Sequence, residues 1–431
     1  MVCMTDLVPE DHILKLIDKA IDWDFIYDLV EDKYSFIGRP AIDPVTLIKI
    51  PFIQYLFGIR SMRQTCKEIE VNVAYRWFLG LDMYDKVPHF STFSKNYTRR
   101  FKDTDLFKKI FAYILEECYK AELVNPEQIF IDATHVKARA NSKKMKSAIA
   151  TEESLFYEEL LKQEIDDDRL SHGKKKLKDR KNVVQQEVTE FTTDAPKKIK
   201  TRKVSTVDEE SGWFRKGEHK HVFAYGVQTA CDVNGWIVGY TVHPANLHDS
   251  RTFIELYNVI KTIPDVNMIV ADAGYKTPAI AKTLIDDGIK PVLPYKRPMT
   301  KKGFFKKSEY TYDEFNDVYI CPNNEILTYS TTNRQGYKIY KSDTTKIVAR
   351  HVWEEYIEEC EDIRHTKGMK EIYGKRKETI ERVFGTAKEN HGFRYTQMYG
   401  KARMEMKAAF TFACMNLKKL AKMKKRLELK S

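Results

Sequence analysis

The stretch VFAYGVQTACDVNGWIVGYTV, residues 222–242, decides the fold because two strand-like runs flank a tight-turn signal in it. Residues 222–231 and 236–242 are rich in β-branched and aromatic side chains, and Asp232-Val233-Asn234-Gly235 separates them. Asn-Gly between two such runs is the strongest short-range signal for a β-hairpin. The sequence therefore predicts an antiparallel pair of strands near the middle of the chain.

Further elements on both sides turn this hairpin into part of a mixed sheet. The predicted elements are a strand at Glu127–Ile131, a helix capped by Asp249 or Ser250, a strand at Val266–Ala271, a helix opened by Thr277-Pro278 and closed by Gly288, and a strand at Val292–Tyr295. Strands that alternate with helices in this order are typical of a mixed α/β (α+β) sheet flanked by helices. The order is consistent with a ribonuclease H-like core over residues 123–300 and 351–400.

The first region, residues 1–122, reads as a series of short helices. Asp11 and Pro44 are placed to start helices, two short helical pieces follow over 61–79, and Ser91 is placed to cap the last helix, which carries Lys95, Arg99 and Arg100. Short helices that end in a basic helix favour a helix-turn-helix-like DNA-binding domain. A small helical bundle with a basic surface is the alternative interpretation.

Two insertions and a tail complete the predicted organisation. Residues 141–220 form a charged insertion, in which an acidic stretch is followed by basic runs at 174–181 and 197–203. This pattern predicts solvated helices and a flexible loop. Contact between the basic runs and the DNA backbone is the alternative. Residues 301–350 are rich in Tyr and Phe with turn residues between them, which predicts a small β insertion. Residues 401–431 predict a C-terminal basic helix.

The charge balance points to a polyanionic partner. The 431 residues carry a formal net charge of +11 and a pI of about 9.0, which favours nucleic acid as the partner. No apolar stretch approaches the roughly 20 residues of a membrane span, and the N-terminus does not resemble a signal peptide. The seven cysteines include no CxxC pair, so we expect a reducing, cytoplasmic and nucleoid-associated location and no zinc site.

Three acidic residues are candidates for catalysis. Asp132 ends the apolar run 128–131, Asp272 ends the run 268–271, and Glu381 lies on a basic helical segment. Carboxylates that converge from such positions hold two divalent ions for phosphodiester chemistry, and hard oxygen ligands suit Mg²⁺, for which Mn²⁺ can substitute. Each residue alone has a plainer reading, since strand-end aspartates commonly cap loops and an exposed glutamate commonly forms helix ion pairs.

Helical geometry favours Glu381 as the third acidic residue, and Glu378 is the alternative candidate. On one continuous helix, Gly374, Lys377, Glu381, Gly385 and Lys388 would share a face, opposite an apolar side formed by Tyr373, Ile380, Phe384 and Ala387. The candidate DNA contacts are Lys95, Arg99, Arg100, Lys137, Arg139, Tyr275, Lys377, Lys388 and Arg394.

Several stretches resemble bacterial insertion-sequence transposases of the DDE superfamily, and among them the insertion sequence family eleven-eighty-two. They are GRPAIDPVTLIKI, NVAYRWFLGL, PHFSTFSKN, FIDATHVKARAN, GEHKHVFAYGVQTA, HPANLHDS, ADAGYKTP, RHVWEEY, KRKETIERVFGTAKENHGFRYT and FACMNLKKL. The resemblance implies that Asp132, Asp272 and Glu381 bind two Mg²⁺, hydrolyse the element's ends and join the 3′-ends to target DNA. It also implies that the N-terminal region binds the terminal inverted repeats.

The chain departs from its apparent relatives in two places. Their Tyr-x2-Arg-x3-Glu-x6-Lys signature keeps its last spacing in Glu381 and Lys388, but Tyr373 and Arg376 lie one residue early, and Lys377 takes the arginine's place on the helix face. The cysteine-rich stretch that relatives often carry in the β insertion is missing, which removes any zinc knuckle.

Three functions are compatible with these features. The first is an Mg²⁺-dependent transposase that acts on double-stranded DNA, as a homodimer when two element ends are held together. The second is a nuclease of the same fold without strand transfer, and the third is a catalytically silent, transposase-derived DNA-binding protein.

Overall fold

A computed structural model describes residues 3–34, 42–149, 156–178, 201–216, 220–296, 300, 303–343 and 346–429. The chain divides into two compact units. Unit 1 comprises residues 1–147, 203–269 and 374–431, and unit 2 comprises residues 148–202 and 270–373. Part of the predicted basic runs of the charged insertion, residues 179–200, lies outside the described residues.

The helices are numbered in chain order as α1 (Met4–Leu7), α2 (Ile13–Ala20), α3 (Phe25–Val30), α4 (Pro44–Leu56), α5 (Met62–Val71), α6 (Val73–Phe78), α7 (Ser91–Asn96), α8 (Leu106–Lys120), α9 (Glu158–Ser171), α10 (Asp249–Ile260), α11 (Pro278–Asp286), α12 (Glu354–His365), α13 (Met369–Gly374), α14 (Ile380–Asn390) and α15 (Lys401–Glu428). The strands are β1 (Gln128–Lys137), β2 (Met145–Ile149), β3 (Thr201–Ser205), β4 (Gly212–Lys216), β5 (Lys220–Cys231), β6 (Ile237–Pro244), β7 (Met268–Val270), β8 (Lys290–Val292), β9 (Thr311–Asp313), β10 (Val318–Ile320), β11 (Ile326–Thr332), β12 (Tyr337–Lys341) and β13 (Ile347–His351).

Strand β5 is the long central strand of unit 1. It pairs antiparallel with β6, so the hairpin predicted around Asn234-Gly235 is confirmed, and Gly235 has the positive φ that its turn requires. Its other edge pairs antiparallel with β1, and its N-terminal part also pairs with β4. Strand β7 begins beside the start of β1, where the Met268 amide donates to the Glu127 carbonyl.

Local signals placed the starts of α4 and α5, whereas Ser91, predicted as a cap, is the first residue of α7 and Phe90 precedes it as the cap. Asp43 caps α4 and Pro44 starts it, while Ser61 caps α5. The cap predicted at Asp11 was wrong by one residue, because the His12 side chain accepts from the Leu14 amide. The predicted Ser91–Phe101 helix ends as α7 at Asn96 and continues as a wider π turn to Phe101.

Helix α15 forms the centre of unit 1. The predicted basic helix at the C-terminus is confirmed in position, but most of its middle part is buried against α2, α4, α8 and β6. Phe410 packs on Phe52 and Phe107 of the N-terminal helices, and Phe412 packs on Tyr240 of β6. The helix therefore joins the N-terminal helices and the sheet in one hydrophobic core.

A buried amide fixes the register between α15 and the sheet. The register of the β5–β6 hairpin shifts between Ala230 and Cys231, next to Ile237. The Asn416 side chain accepts a hydrogen bond from the Ile237 amide at 3.0 Å and donates to its carbonyl at 2.8 Å. Both backbone groups would otherwise be buried without these partners, so the side chain satisfies two costly polar atoms at once.

Unit 2 contains the predicted β insertion. Strands β9 to β13 form one antiparallel sheet in the order β13-β12-β11-β10-β9. Its core holds the buried side chains of Tyr319, Leu327 and Tyr340. The strand predicted at Val292–Tyr295 forms two residues earlier, as β8.

The charged insertion supplies a helix to unit 2. Helix α9 forms where a solvated helix was predicted, but one face is buried, since Leu161 and Ile165 pack with Trp353. At its C-terminal end, His172 Nε2 lies 2.7 Å from Asp317 of the β insertion. Asp317 also accepts hydrogen bonds from the Tyr312 and Tyr340 hydroxyls. No helix among the described residues is long and apolar enough to cross a membrane.

We expect the substitution Asn416→Leu to lower the free energy of unfolding by about 2–4 kcal/mol, because it leaves the Ile237 amide and carbonyl buried without partners. Urea unfolding followed by circular dichroism would measure the change. The control Lys422→Ala, at an exposed position of the same helix, should change stability by less than about 0.5 kcal/mol. Equal losses in both variants would contradict the role of the amide.

We expect Asp317→Asn to flatten the acid side of the stability profile. Burial tends to raise the pKa of Asp317, but donors from Tyr312, Tyr340 and His172 outweigh burial and lower it. A lowered pKa contributes stability above the unfolded value of about 3.9, and the contribution is lost as pH falls through the folded value. Between pH 5 and pH 3 the wild type should therefore lose more melting temperature than Asp317→Asn, with Tyr312→Phe intermediate.

Candidate active site

Asp132 lies in the middle of a strand and not at its end. The predicted strand ended at Ile131, but β1 continues to Lys137, and Asp132 pairs with Thr229 of β5. The apolar run stops at Ile131 because beyond it alternate side chains of β1 are only partly buried. The carboxylate is 20% exposed, so it sits at the surface of a rigid sheet.

An arginine holds the Asp132 carboxylate. Arg376 Nη2 lies 2.7 Å from Asp132 Oδ2, and the arginine side chain is only 9% exposed. Asp132 Oδ1 accepts from the Ala133 amide at 2.8 Å. Because the pair is largely buried, the guanidinium and carboxylate interact more strongly than an exposed pair would. The position beside Asp132 thus accommodates a cation.

An interruption of the helix places Arg376 beside Asp132. The continuous helix predicted over residues 376–385 is wrong, since residues 375–377 form a 3₁₀ turn and α14 begins only at Ile380. Thr379 between them has φ −106° and ψ −97°, outside the helical region, and its hydroxyl donates to the Lys375 carbonyl. Arg376 is therefore buried while Lys377 is exposed, so Lys377 does not replace the arginine of the family signature.

Glu381 occupies the first turn of α14. The helix contacts β1 and β5, and it buries Ile380, Val383, Phe384 and Ala387. Glu381 and its rival Glu378 are both exposed, and neither side chain makes a hydrogen bond or ion pair in the described part of the chain. Glu381 belongs to a helix that packs on the strand of Asp132, whereas Glu378 belongs to the turn before the helix.

Asp272 belongs to unit 2, where it follows β7 as predicted. Its carboxylate accepts from the Gly274 amide at 2.8 Å. A Cβ atom at Gly274 would lie 3.0 Å from Asp272 Oδ1, so the glycine leaves room beside the carboxylate. Four residues later, the buried Lys276 forms an ion pair with Glu361 of α12. Sequence patterns gave no sign of this pair, because the two residues are far apart in the chain.

The donor chemistry of the three acidic residues suits a hard divalent cation. Carboxylate oxygens are the preferred protein ligands of Mg²⁺, and Asp132 already holds a cationic side chain. Among the described residues, no group of three or more Asp, Glu, His or Cys side chains is arranged to hold a metal ion. Two features therefore suit these residues to a metal ion: all three are carboxylates, and a cation already lies beside Asp132.

After Asp132, the side chains of β1 alternate between buried and more exposed positions. Thr134 is buried, and the His135 ring stacks on Phe214 at 3.8 Å between ring centroids. Lys137 and Arg139 are exposed, and the Arg139 guanidinium lies over the Tyr399 ring. The structure does not support the predicted DNA contact of Tyr275, because that side chain is fully buried.

The other candidate DNA contacts have different surroundings. Lys95 and Arg99 are exposed, whereas Arg100 donates to Asn96 at 2.6 Å and lies over the Tyr34 ring. Arg394 is exposed and forms an ion pair with Glu389. Lys388 is half-buried, with its ammonium over the Phe384 ring. Lys95, Arg99, Lys137, Arg139 and Lys377 thus remain exposed, as DNA contact requires.

Comparison with known proteins identifies the family. The family model described as "Transposase domain (DUF772)" matches residues 2–99. The model described as "Transposase DDE domain" matches residues 125–417, which is more than half of the chain. No curated protein matches the chain. No solved structure matches it either. The second match includes Asp132, Asp272 and Glu381, and the chain belongs to the DDE family of insertion-sequence transposases.

Proposed function

We propose that this transposase binds the terminal inverted repeats of an insertion sequence, hydrolyses a phosphodiester bond at each end and joins the 3′-ends to target DNA. The single observation that carries this proposal is the Asp132 carboxylate, which sits on a central strand with a cationic partner at 2.7 Å. Within the superfamily we assign the chain to the insertion sequence family eleven-eighty-two, on the stretches quoted above.

We assign the metal-holding role to Asp132, Asp272 and Glu381. Two Mg²⁺ ions, or Mn²⁺ in their place, would polarise the phosphoryl oxygen and lower the pKa of the attacking water or 3′-hydroxyl. The sheet fixes the Asp132 carboxylate, and Gly274 leaves space beside the Asp272 carboxylate. Arg376 neutralises the Asp132 carboxylate from 2.7 Å, at a position that a metal ion would share.

DNA binding belongs to the exposed basic residues around this site. Lys137 is the last residue of the strand that carries Asp132, Arg139 follows that strand, and Lys377 lies in the turn before α14. Lys95 and Arg99, exposed at the end of the N-terminal helices, would contact the inverted repeat. Holding two element ends together requires two active sites, so we propose a homodimer as the working form.

Cleavage of a labelled element-end duplex with Mg²⁺ tests the proposal. We expect the wild type to cut and Glu381→Gln to lose at least 100-fold in rate, because the amide cannot replace a negatively charged metal ligand. Glu378→Gln is the matched control and should cut at close to the wild-type rate.

The same experiment separates the alternative functions. Loss of cutting in Glu378→Gln alone would reassign the third carboxylate. Cutting without joining to a supercoiled target plasmid would identify a nuclease without strand transfer. Tight and specific binding of the element end without any cutting would identify a catalytically silent DNA-binding protein.

Metal should stabilise the intact protein through the same carboxylates. We expect 10 mM Mg²⁺ or Mn²⁺ to raise the melting temperature of the wild type but not that of the Asp132→Ala, Asp272→Ala double variant, since ligands that bind only the folded state stabilise it. Differential scanning fluorimetry measures the shift. Equal shifts in both proteins would contradict a metal site shared by the two carboxylates.

A further inference from the structure

Unit 1 contains a cavity of about 530 Å³ whose lining includes none of the residues assigned to catalysis. One wall comes from the end of α4, the start of α5 and helix α7. The other wall comes from the last turn of α14, the segment after it and the start of α15. The two walls meet closely at Gly58, where a Cβ atom would lie 2.8 Å from the Asn390 carbonyl oxygen.

Cations dominate the charge of this cavity. Five basic residues line it, and Glu389 is the one carboxylate among its described lining residues. The basic residues are Arg60, Lys388, Arg394, Arg403 and Lys407. Glu389 already forms an ion pair with Arg394. The cavity therefore has an excess of positive charge and favours an anionic occupant.

Lys407 makes the preference for an anion stronger. It is only 7% exposed, and its ammonium donates to the Gly392 and Tyr395 carbonyls at 2.9 and 2.8 Å. No carboxylate forms an ion pair with it among the described residues. Burial lowers its pKa to about 8. A buried cation without a counter-ion is costly, and an anion bound in the cavity would offset that cost.

Aromatic rings supply the second type of surface. Tyr55, Phe93 and Tyr97 are buried in one wall, and Phe90 and Tyr395 are more accessible. The Arg403 guanidinium lies 5.2 Å from the centre of the Tyr97 ring, which holds a donor beside an aromatic surface. Rings that accept a stacked base, next to cations that contact phosphate, are how proteins bind unpaired nucleotides.

Size and chemistry exclude other occupants. The volume lies in the range of small-molecule pockets, roughly 300–1,000 Å³, so a nucleotide fits but a base-paired duplex does not. A purely apolar ligand would leave the buried Lys407 ammonium without a counter-ion. A metal cation would be repelled by them.

We infer that this cavity binds an unpaired nucleotide of a DNA strand, with its base against the accessible rings of Phe90 and Tyr395 and its phosphate among Arg60, Arg403 and Lys407. The inference rests on the proposed function, because it assumes that the protein handles DNA ends. Lys388 and Glu381 are seven residues apart on α14, about 10 Å along the helix axis at 1.5 Å per residue. A strand that passes Glu381 would therefore reach the cavity within about three nucleotide steps of 3.4 Å each.

Fluorescence anisotropy with dye-labelled oligonucleotides tests the inference on the full chain. The probes are a ten-nucleotide single strand, the blunt duplex of the same sequence, and a deoxynucleoside monophosphate as unlabelled competitor. The variant is Arg60→Ala, Tyr395→Ala, which removes one accessible side chain from each wall. The matched control is Tyr84→Ala, Lys86→Ala, at two exposed positions outside the cavity. Thermal melts establish that both variants fold.

We expect the cavity variant to bind the single strand at least tenfold more weakly than the wild type, the loss that one stacked base represents. Its duplex affinity should change less than threefold, and the control should match the wild type with both probes. Equal losses for single strand and duplex, or no loss for either, would overturn the inference. Tighter binding of the monophosphate than of the ten-nucleotide strand would show that the occupant is a free nucleotide and would also overturn it.

The duplex cleavage assay distinguishes failure of the cavity inference from failure of the proposed function. A wild type that cuts element ends but shows no single-strand loss in the cavity variant would refute the cavity inference alone. A wild type that neither binds nor cuts any DNA would refute the proposed function and the inference that rests on it.

Discussion

The burial of helix α15 is the constraint on which unit 1 depends. Phe410 packs among rings from the N-terminal helices, and Phe412 packs against Tyr240 of the sheet. Asn416 then fixes the helix to the edge of β6 through both polar groups of Ile237. Because one helix serves both layers, the helices that match a transposase domain share a core with the strand that carries Asp132. A change in the packing of α15 would therefore disturb DNA contact and catalysis together.

Signals between neighbouring residues predicted the fold better than signals between distant ones. Asn234-Gly235, Pro44 and Thr277-Pro278 each specify a turn or a helix start through their own backbone preferences, and each forms as predicted. The length of β1 was missed because its second half pairs with β5, a contact made about 95 residues later in the chain. The sequence shows the apolar side chains in the middle of α15, such as Phe410 and Phe412, but not the distant elements that bury them.

The structure differs from the sequence prediction of the candidate site at Arg376, which contacts Asp132, and at Tyr275, which is buried. Helix periodicity assigned Lys377 to the place of Arg376, because periodicity assumes an unbroken helix. The 3₁₀ turn after Gly374 and the non-helical backbone of Thr379 interrupt the helix before α14 begins at Ile380. The hydroxyl of Thr379 closes the turn locally. Such a break costs helix hydrogen bonds, and the Arg376–Asp132 pair at 2.7 Å is the interaction that offsets the cost.

One segment connects the two proposed sites. Residues 376–407 supply in succession the arginine on Asp132, the candidate Glu381, the cavity residues Lys388 and Arg394, and the buried Lys407. Cations thus outnumber carboxylates along the segment that leads from the sheet to α15. A polyanionic strand laid along this segment would meet mainly positive charge. It would be repelled only at the carboxylates, where a bound metal ion would reverse the sign of the local charge. A bound cation would then be needed most beside the carboxylates, where the proposed function places the scissile phosphate. This is also where positive charge would stabilise the transition state most.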